Sequence, residues 1–156
     1  MYRPRPITRL RSVGTVLAAL IISAACSDGT GPNPAFAQAR AKALWADEGP
    51  ASYSITIFRA CECLADRPVV VTVVGGVVES RRYAEAGDDV PANYAGLFPS
   101  VDGLFDMIDD LRRQKVAMID VQYDPVDGHP TRIDVDRVRR TVDDEFRYTI
   151  RDFQPH

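Results

Sequence analysis

The stretch "VAMIDVQYDPVDGHPTRIDVD", residues 116–136, decides the fold. In its first arm Ala117, Ile119, Val121 and Tyr123 share one side of an extended chain. In its second arm Thr131, Ile133 and Val135 alternate with Arg132, Asp134 and Asp136. A period of two is the signature of a half-buried strand. "PVDGHP" between the arms supplies the aspartate and glycine that a tight turn needs for its own backbone. A third strand follows in "EFRYTIRDF", where Phe146, Tyr148 and Ile150 alternate with Glu145, Arg147 and Thr149. Clean alternation of this kind belongs to antiparallel sheets with one wet face.

Working outward, "YSITIF" at 53–58 sets Tyr53, Ile55 and Ile57 against Ser54 and Thr56. "PVVVTVVGGVVESRRY" at 68–83 reads as a hairpin closed by Gly75-Gly76, the pair that a two-residue primed turn requires. Asn33 and Pro34 open a helix running to about Trp45, with Phe36, Ala39, Ala43 and Leu44 on one side and Gly49-Pro50 as its stop. Ser100 caps a second helix, with Asp102 in its first turn, Leu104, Phe105, Ile108 and Leu111 as its stripe, and Arg112, Arg113 and Lys115 at its end. Residues 84–99 form a long loop between them. The expected fold is α+β: a two-layer sandwich in the order α-β-β-β-α-β-β-β, with both helices on one face of an antiparallel sheet.

The first 25 residues stand apart. "MYRPRPITRLRS" carries four arginines and no acid, and "VGTVLAALIISAA" is an apolar run too short to span a bilayer. That is the layout of a secretory signal. Its end, "ISAAC" at 22–26, resembles a lipobox, which implies lipidation of Cys26 and cleavage before it; Ser23 stands where leucine is usual. Ser27 after the cysteine resembles the outer-membrane sorting rule of a Gram-negative cell. The expected organisation is a lipoprotein signal at 1–25, a lipidated tether at 26–33 and one domain at 34–156. The whole chain has 19 basic and 22 acidic residues; without the signal's four arginines, 15 face 22, a net charge of −7. Such a balance argues against nucleic acid as a partner.

With Cys26 lipidated, "RACECLADRP" at 59–68 leaves one pair, Cys61 and Cys63, in an oxidising compartment. Both share parity with Tyr53, Ile55 and Ile57, so a straight strand would aim them at the helices. The favoured reading is a disulfide that clips a turn. A redox pair would want a base or a helix N-terminus nearby, whereas Glu62 opposes thiolate formation. A metal site would want more ligands than His129 and His156 supply, and a lone histidine in a turn is expected to be solvated. "YDPVDGHP" matches a calcium loop only loosely. No catalytic constellation stands out, and no cofactor or metal is expected.

"VVVTVV" is apolar on both faces, which suggests a central strand with its outer side covered, or a groove for a partner. Tyr94 and Phe98 in the long loop are candidates for that cover or for a partner-facing surface.

The ordered set Trp45, Pro50-x-x-Tyr53, Cys61-x-Cys63, the valine strand ending at Gly76, "LFDMI", "VQYDPVDGHPTRIDVD" and "DDEFRYTI" resembles a bacterial family of secreted proteins and lipoproteins, domain-of-unknown-function family 6174. His129 stands where that family's pattern leads one to expect an aromatic. The resemblance implies a single domain and supports the cysteine pair, and it implies no activity. The expected function is therefore a lipid-anchored binding or structural module of the bacterial envelope, attached to the membrane through Cys26 and facing an envelope protein. The alternative is an envelope thiol-redox or other enzyme that uses Cys61 and Cys63.

Overall fold

The computed structural model describes residues 33–61, 67–138 and 144–156. The side chain of Asn33 accepts a hydrogen bond from the Ala35 N–H and opens α1 (Pro34–Glu48). Three strands follow: β1 (Tyr53–Cys61), β2 (Val69–Val74) and β3 (Val77–Tyr83). After the long loop, which holds a short 3-10 turn at Ala95–Leu97, come α2 (Val101–Gln114), β4 (Met118–Tyr123), β5 (Pro130–Asp136) and β6 (Glu145–Pro155). The strands make one six-stranded sheet in the order β3-β2-β1-β6-β5-β4, antiparallel throughout. The expected α+β sandwich is the fold of the described residues. The first and last strands pair at the centre, and α2 lies in the connection between the two edge strands.

Alternation decides which face is covered. Tyr53, Ile55 and Ile57 of β1, Val69, Val71 and Val73 of β2, Ile133 and Val135 of β5, and Phe146, Tyr148 and Ile150 of β6 are all buried in one core. At about 1.5–3 kcal/mol for each fully buried large apolar side chain, this inner face dominates the stability. Against it lie Val101, Leu104, Phe105, Ile108 and Leu111 of α2, the stripe expected from sequence with Val101 added. The Ser100 hydroxyl caps α2 by accepting from the Gly103 N–H. The Tyr53 hydroxyl accepts from the Val101 N–H at 2.9 Å. Burial pushes the pKa of that phenol up to about 12, against the lowering effect of the same hydrogen bond.

The hairpin turn is as expected. Val74 pairs with Val77, and Gly75 and Gly76 both take positive φ (56° and 80°), which few residues other than glycine tolerate. Strand β2 lies inside the sheet, but no second layer covers its outer side among the described residues: Val70 and Thr72 are half-buried there.

The face of α1 differs from the sequence expectation. Phe36, Ala39 and Ala43 are exposed and Leu44 is half-buried, whereas Gln38, Ala41 and Trp45 are buried. The cause is a polar seam between the helices. The Gln38 amide donates to Asp109 Oδ1 at 2.5 Å, Lys42 Nζ donates to Asp109 Oδ2 at 2.8 Å, and Trp45 Nε1 donates to Asp102 Oδ1 at 3.1 Å. Asp102 and Asp109 lie two turns apart on α2, so α1 is docked largely by donors rather than by an apolar stripe. The Lys42 hydrogen bond holds the Asp109 carboxyl below its ordinary pKa, with burial opposing it and the charges of Lys42 and Arg113 and the Gln38 bond adding to it.

Candidate functional site

Two regions bring chemistry-bearing side chains together, one at each end of the sheet. At the first, β1 runs without a register shift from Thr56 to Cys61, longer than its alternating segment suggests. Cys61 faces Phe146 and Arg59 faces Tyr148 across the β1–β6 ladder, so both lie on the inner face. Arg59 Nη1 donates to Cys61 Sγ at 2.6 Å, and its guanidinium sits 5.2 Å from the Phe146 ring centroid and 5.8 Å from that of Tyr148. Arg137 lies 5.4 Å from Phe146. The sulfur's sequence neighbour is acidic, but a cation, Arg59, touches it. The spacing of Arg59 and Cys61, two apart on one strand, was the available signal, and the sequence reading did not use it.

Beside Cys61 lies a cavity of about 410 Å³ lined by Ala60, Cys61, Met118, Asp134, Val135, Glu145, Phe146 and Arg147. On the outer face Asp134 takes hydrogen bonds from Arg132 and Arg147, one on its own strand and one directly across the ladder. Burial works to raise the Asp134 pKa, but the two guanidinium groups outweigh it and hold the carboxyl below its usual range. Cys63, like Cys26, lies outside the described residues.

At the opposite end, the β4–β5 turn gathers Asp124, Asp127 and His129, with one ligand-type atom from each within 4.8 Å of the others. Asp124 Oδ1 accepts from the N–H groups of Val126 (2.7 Å) and Asp127 (3.3 Å), and Asp127 Oδ1 accepts from the His129 N–H at 3.0 Å. These are turn-forming contacts, in line with the reading of "PVDGHP" as turn chemistry.

His129 is not solvated as expected; it is 5% exposed, with Nδ1 2.5 Å from Asp127 Oδ1 and its ring stacked on Phe153 at 4.7 Å. The reason is a β-bulge. Between Ser54 and Thr56 the β1–β6 register shifts, and Asp152 adopts φ 53°. The extra residue turns Phe153 inward, where it also meets Trp45 at 6.0 Å and Tyr53 at 5.5 Å. Gly128, at φ 82°, lets the turn press onto α1: a Cβ there would lie 2.3 Å from the Ala41 carbonyl oxygen.

The two loop aromatics do not form a surface together. Phe98 is 1% exposed and belongs to the core, so of its two expected roles the partner-facing one is set aside. Its carbonyl accepts from Arg81 Nε at 2.6 Å, so the loop folds back over the end of the core beside β3. Tyr94 is half-buried against the same core.

Comparison with known proteins adds the family. Residues 37–155 match the family of unknown function DUF6174, and the chain belongs to it. No curated protein and no solved structure matches the chain.

Proposed function

We propose that this member of a family without a known activity is a lipid-anchored, extracytoplasmic binding or structural module of the bacterial envelope, attached through Cys26. The observation that carries the binding role is the sheet's asymmetry: α1, α2 and the long loop all serve one core, leaving the other face of six strands open among the described residues. That face carries polar and charged side chains (Asp120, Gln122, Arg132, Asp134, Arg147, Arg151) around the more apolar Phe58 and Ala60. Such a mixed surface suits a protein partner better than a small apolar ligand. No helix of the described residues is long and apolar enough to cross a membrane. The anchor reading rests instead on the arginine-rich leader and "ISAAC". Replacing Cys26 with serine should abolish lipid incorporation and leave an unprocessed precursor. A Cys26→Ser chain that still takes up labelled palmitate and fractionates with membranes would refute the anchor.

The Cys61–Cys63 disulfide belongs to the same proposal. An uninterrupted β1 delivers Cys61 to the strand's end on the inner face, where a short clip would restrain the chain that follows. A second reading, an envelope thiol-redox protein, draws on the position of Arg59 beside Cys61, because a guanidinium next to the reduced cysteine would favour its thiolate. Labelling of the native, unreduced protein separates the two. A structural clip leaves both thiols unreactive until the chain is reduced and unfolded, whereas a redox pair reacts after mild reduction of the folded chain.

A further inference from the structure

The exposed apolar side chains are distributed unevenly over the fold. Among the described residues, the large ones left exposed are Phe36, Val74, Val77, Val126, Met118 and Val138. The first four share one end of the sheet. Strands β2 and β4 run antiparallel to β1 and β5 respectively, so the β2–β3 and β4–β5 turns lie at the end where β1 and β5 begin. Val74 (50% exposed) and Val77 (70%) flank the first turn, and Val126 (76%) sits in the second. The turns are about 20 Å apart across four strand spacings.

Helix α1 lies at the same end. Phe36 (68% exposed) shares a groove of about 250 Å³ with Ala37, Arg40, Leu44, Tyr123 and Pro125, while Trp45 packs edge-on against Tyr53 at the start of β1. The aspartates of the β4–β5 turn are engaged by its own N–H groups, and Val126 is exposed between them.

We infer that this end of the domain docks on the lipid surface to which the chain is anchored, with Phe36, Val126, Val74 and Val77 dipping to the headgroup–acyl boundary. The inference rests on the anchored reading above. Chain length selects the occupant: seven residues, Ser27–Asn33, separate Cys26 from Pro34, and they reach at most about 25 Å. A chain anchored at Cys26 therefore holds the start of α1, and Phe36 with it, within that distance of the bilayer. Single apolar side chains at two turn tips and a helix start, with Arg40 beside them at phosphate level, suit shallow interfacial contact. They are too scattered to form the packed centre of a protein interface. Docked this way, the sheet stands upright on the membrane and its open face points sideways, accessible to a partner.

The test uses the full chain expressed in bacteria, with single tryptophans placed at the turn tips (Val126→Trp, Val77→Trp) or at the opposite end (Met118→Trp, Val138→Trp). Trp45 is left in place as a common background. Intact mass reports the lipid on Cys26. The chain is then reconstituted in phosphatidylethanolamine–phosphatidylglycerol vesicles whose acyl chains carry bromine. The expected result is a lipid-bearing protein with at least twofold more quenching at 126 and 77 than at 118 and 138. A lipid-bearing protein quenched equally at both ends would overturn the docking and spare the anchor. A chain without lipid would overturn the anchor and the docking that rests on it. Tip tryptophans already blue-shifted without vesicles, in a particle of doubled mass, would make this end a contact between copies and overturn the docking.

Discussion

The two faces of the sheet are made by the same strands and have opposite fates. On the inner face, Ile55, Ile57, Val69, Val71, Val73 and Ile133 are fully buried under the helices. On the outer face, the alternate residues of those strands are mostly half-buried, with Thr56 at the sheet's centre shielded by its neighbours, and are tied by surface pairs such as Asp134 with Arg132 and Arg147. The inner face is committed to folding, so changes there should be felt as stability. The outer face contributes little to stability, so its composition is free to serve recognition.

That contrast can be broken most forcefully in the core. Ile57→Ala should cost about 2–5 kcal/mol in denaturant unfolding. Gln122→Ala on the outer face should stay within about 0.5 kcal/mol. Comparable losses at both positions would mean that something covers the outer face. Gly128→Ala should come next, because it forces a side chain into a left-handed backbone and towards the Ala41 carbonyl. A cost of about 1–3 kcal/mol is expected for the backbone alone. A neutral result would show that the turn is not pressed onto α1.

Acid sharpens the comparison. Asp109, in the helix seam, and Asp134, on the outer face, both have carboxyl pKa values held below their ordinary range. Unfolded aspartate titrates near 3.9, roughly the level above which this stabilisation is complete. It is lost as pH falls through the lower folded values. Asp109→Asn should reduce stability at pH 7 and flatten the decline below about pH 4. Asp134→Asn should flatten the same region without loosening the helix seam. If neither substitution changes the slope of stability against pH, these pairings are not what acid removes.

The smallest effect belongs to the cysteine end. If Cys61 and Cys63 form the proposed disulfide, Cys61→Ala/Cys63→Ala should cost about 1 kcal/mol, because a three-residue ring restrains little unfolded chain. That loss is a drop of about 3–6 °C in Tm. An unchanged Tm with loss of an envelope thiol phenotype would favour the redox reading.

Much of this architecture was legible because alternation records burial directly. The inner residues of the strands, the glycine turn and the stripe of α2 could all be read from spacing. Helix α1 could not, since its buried face consists of Gln38, Ala41 and Trp45, and its hydrogen-bond partners Asp102 and Asp109 are more than fifty residues away. Phe153 and His129 were hidden for a related reason. A single inserted residue at Asp152 reverses the parity on which the reading depends, and the ring that buries His129 arrives only through that reversal. The place of Phe98 in the core was not legible, because a loop aromatic in sequence carries no periodic context to show that it completes a core. At the cysteine end, the sequence showed the acidic neighbour Glu62, while the strand's geometry supplied the cation Arg59.

The open face is the centre of the account, and it can be tested in the cell with photo-crosslinking residues introduced one at a time. Gln122 and Arg151 report on the outer face, and Asp106 on the exposed side of α2. From the full chain in its own cell, the first two positions should capture one and the same partner protein, and Asp106 should not. Capture from Asp106 alone, or equal capture from all three, would contradict the assignment of recognition to the uncovered face of the sheet.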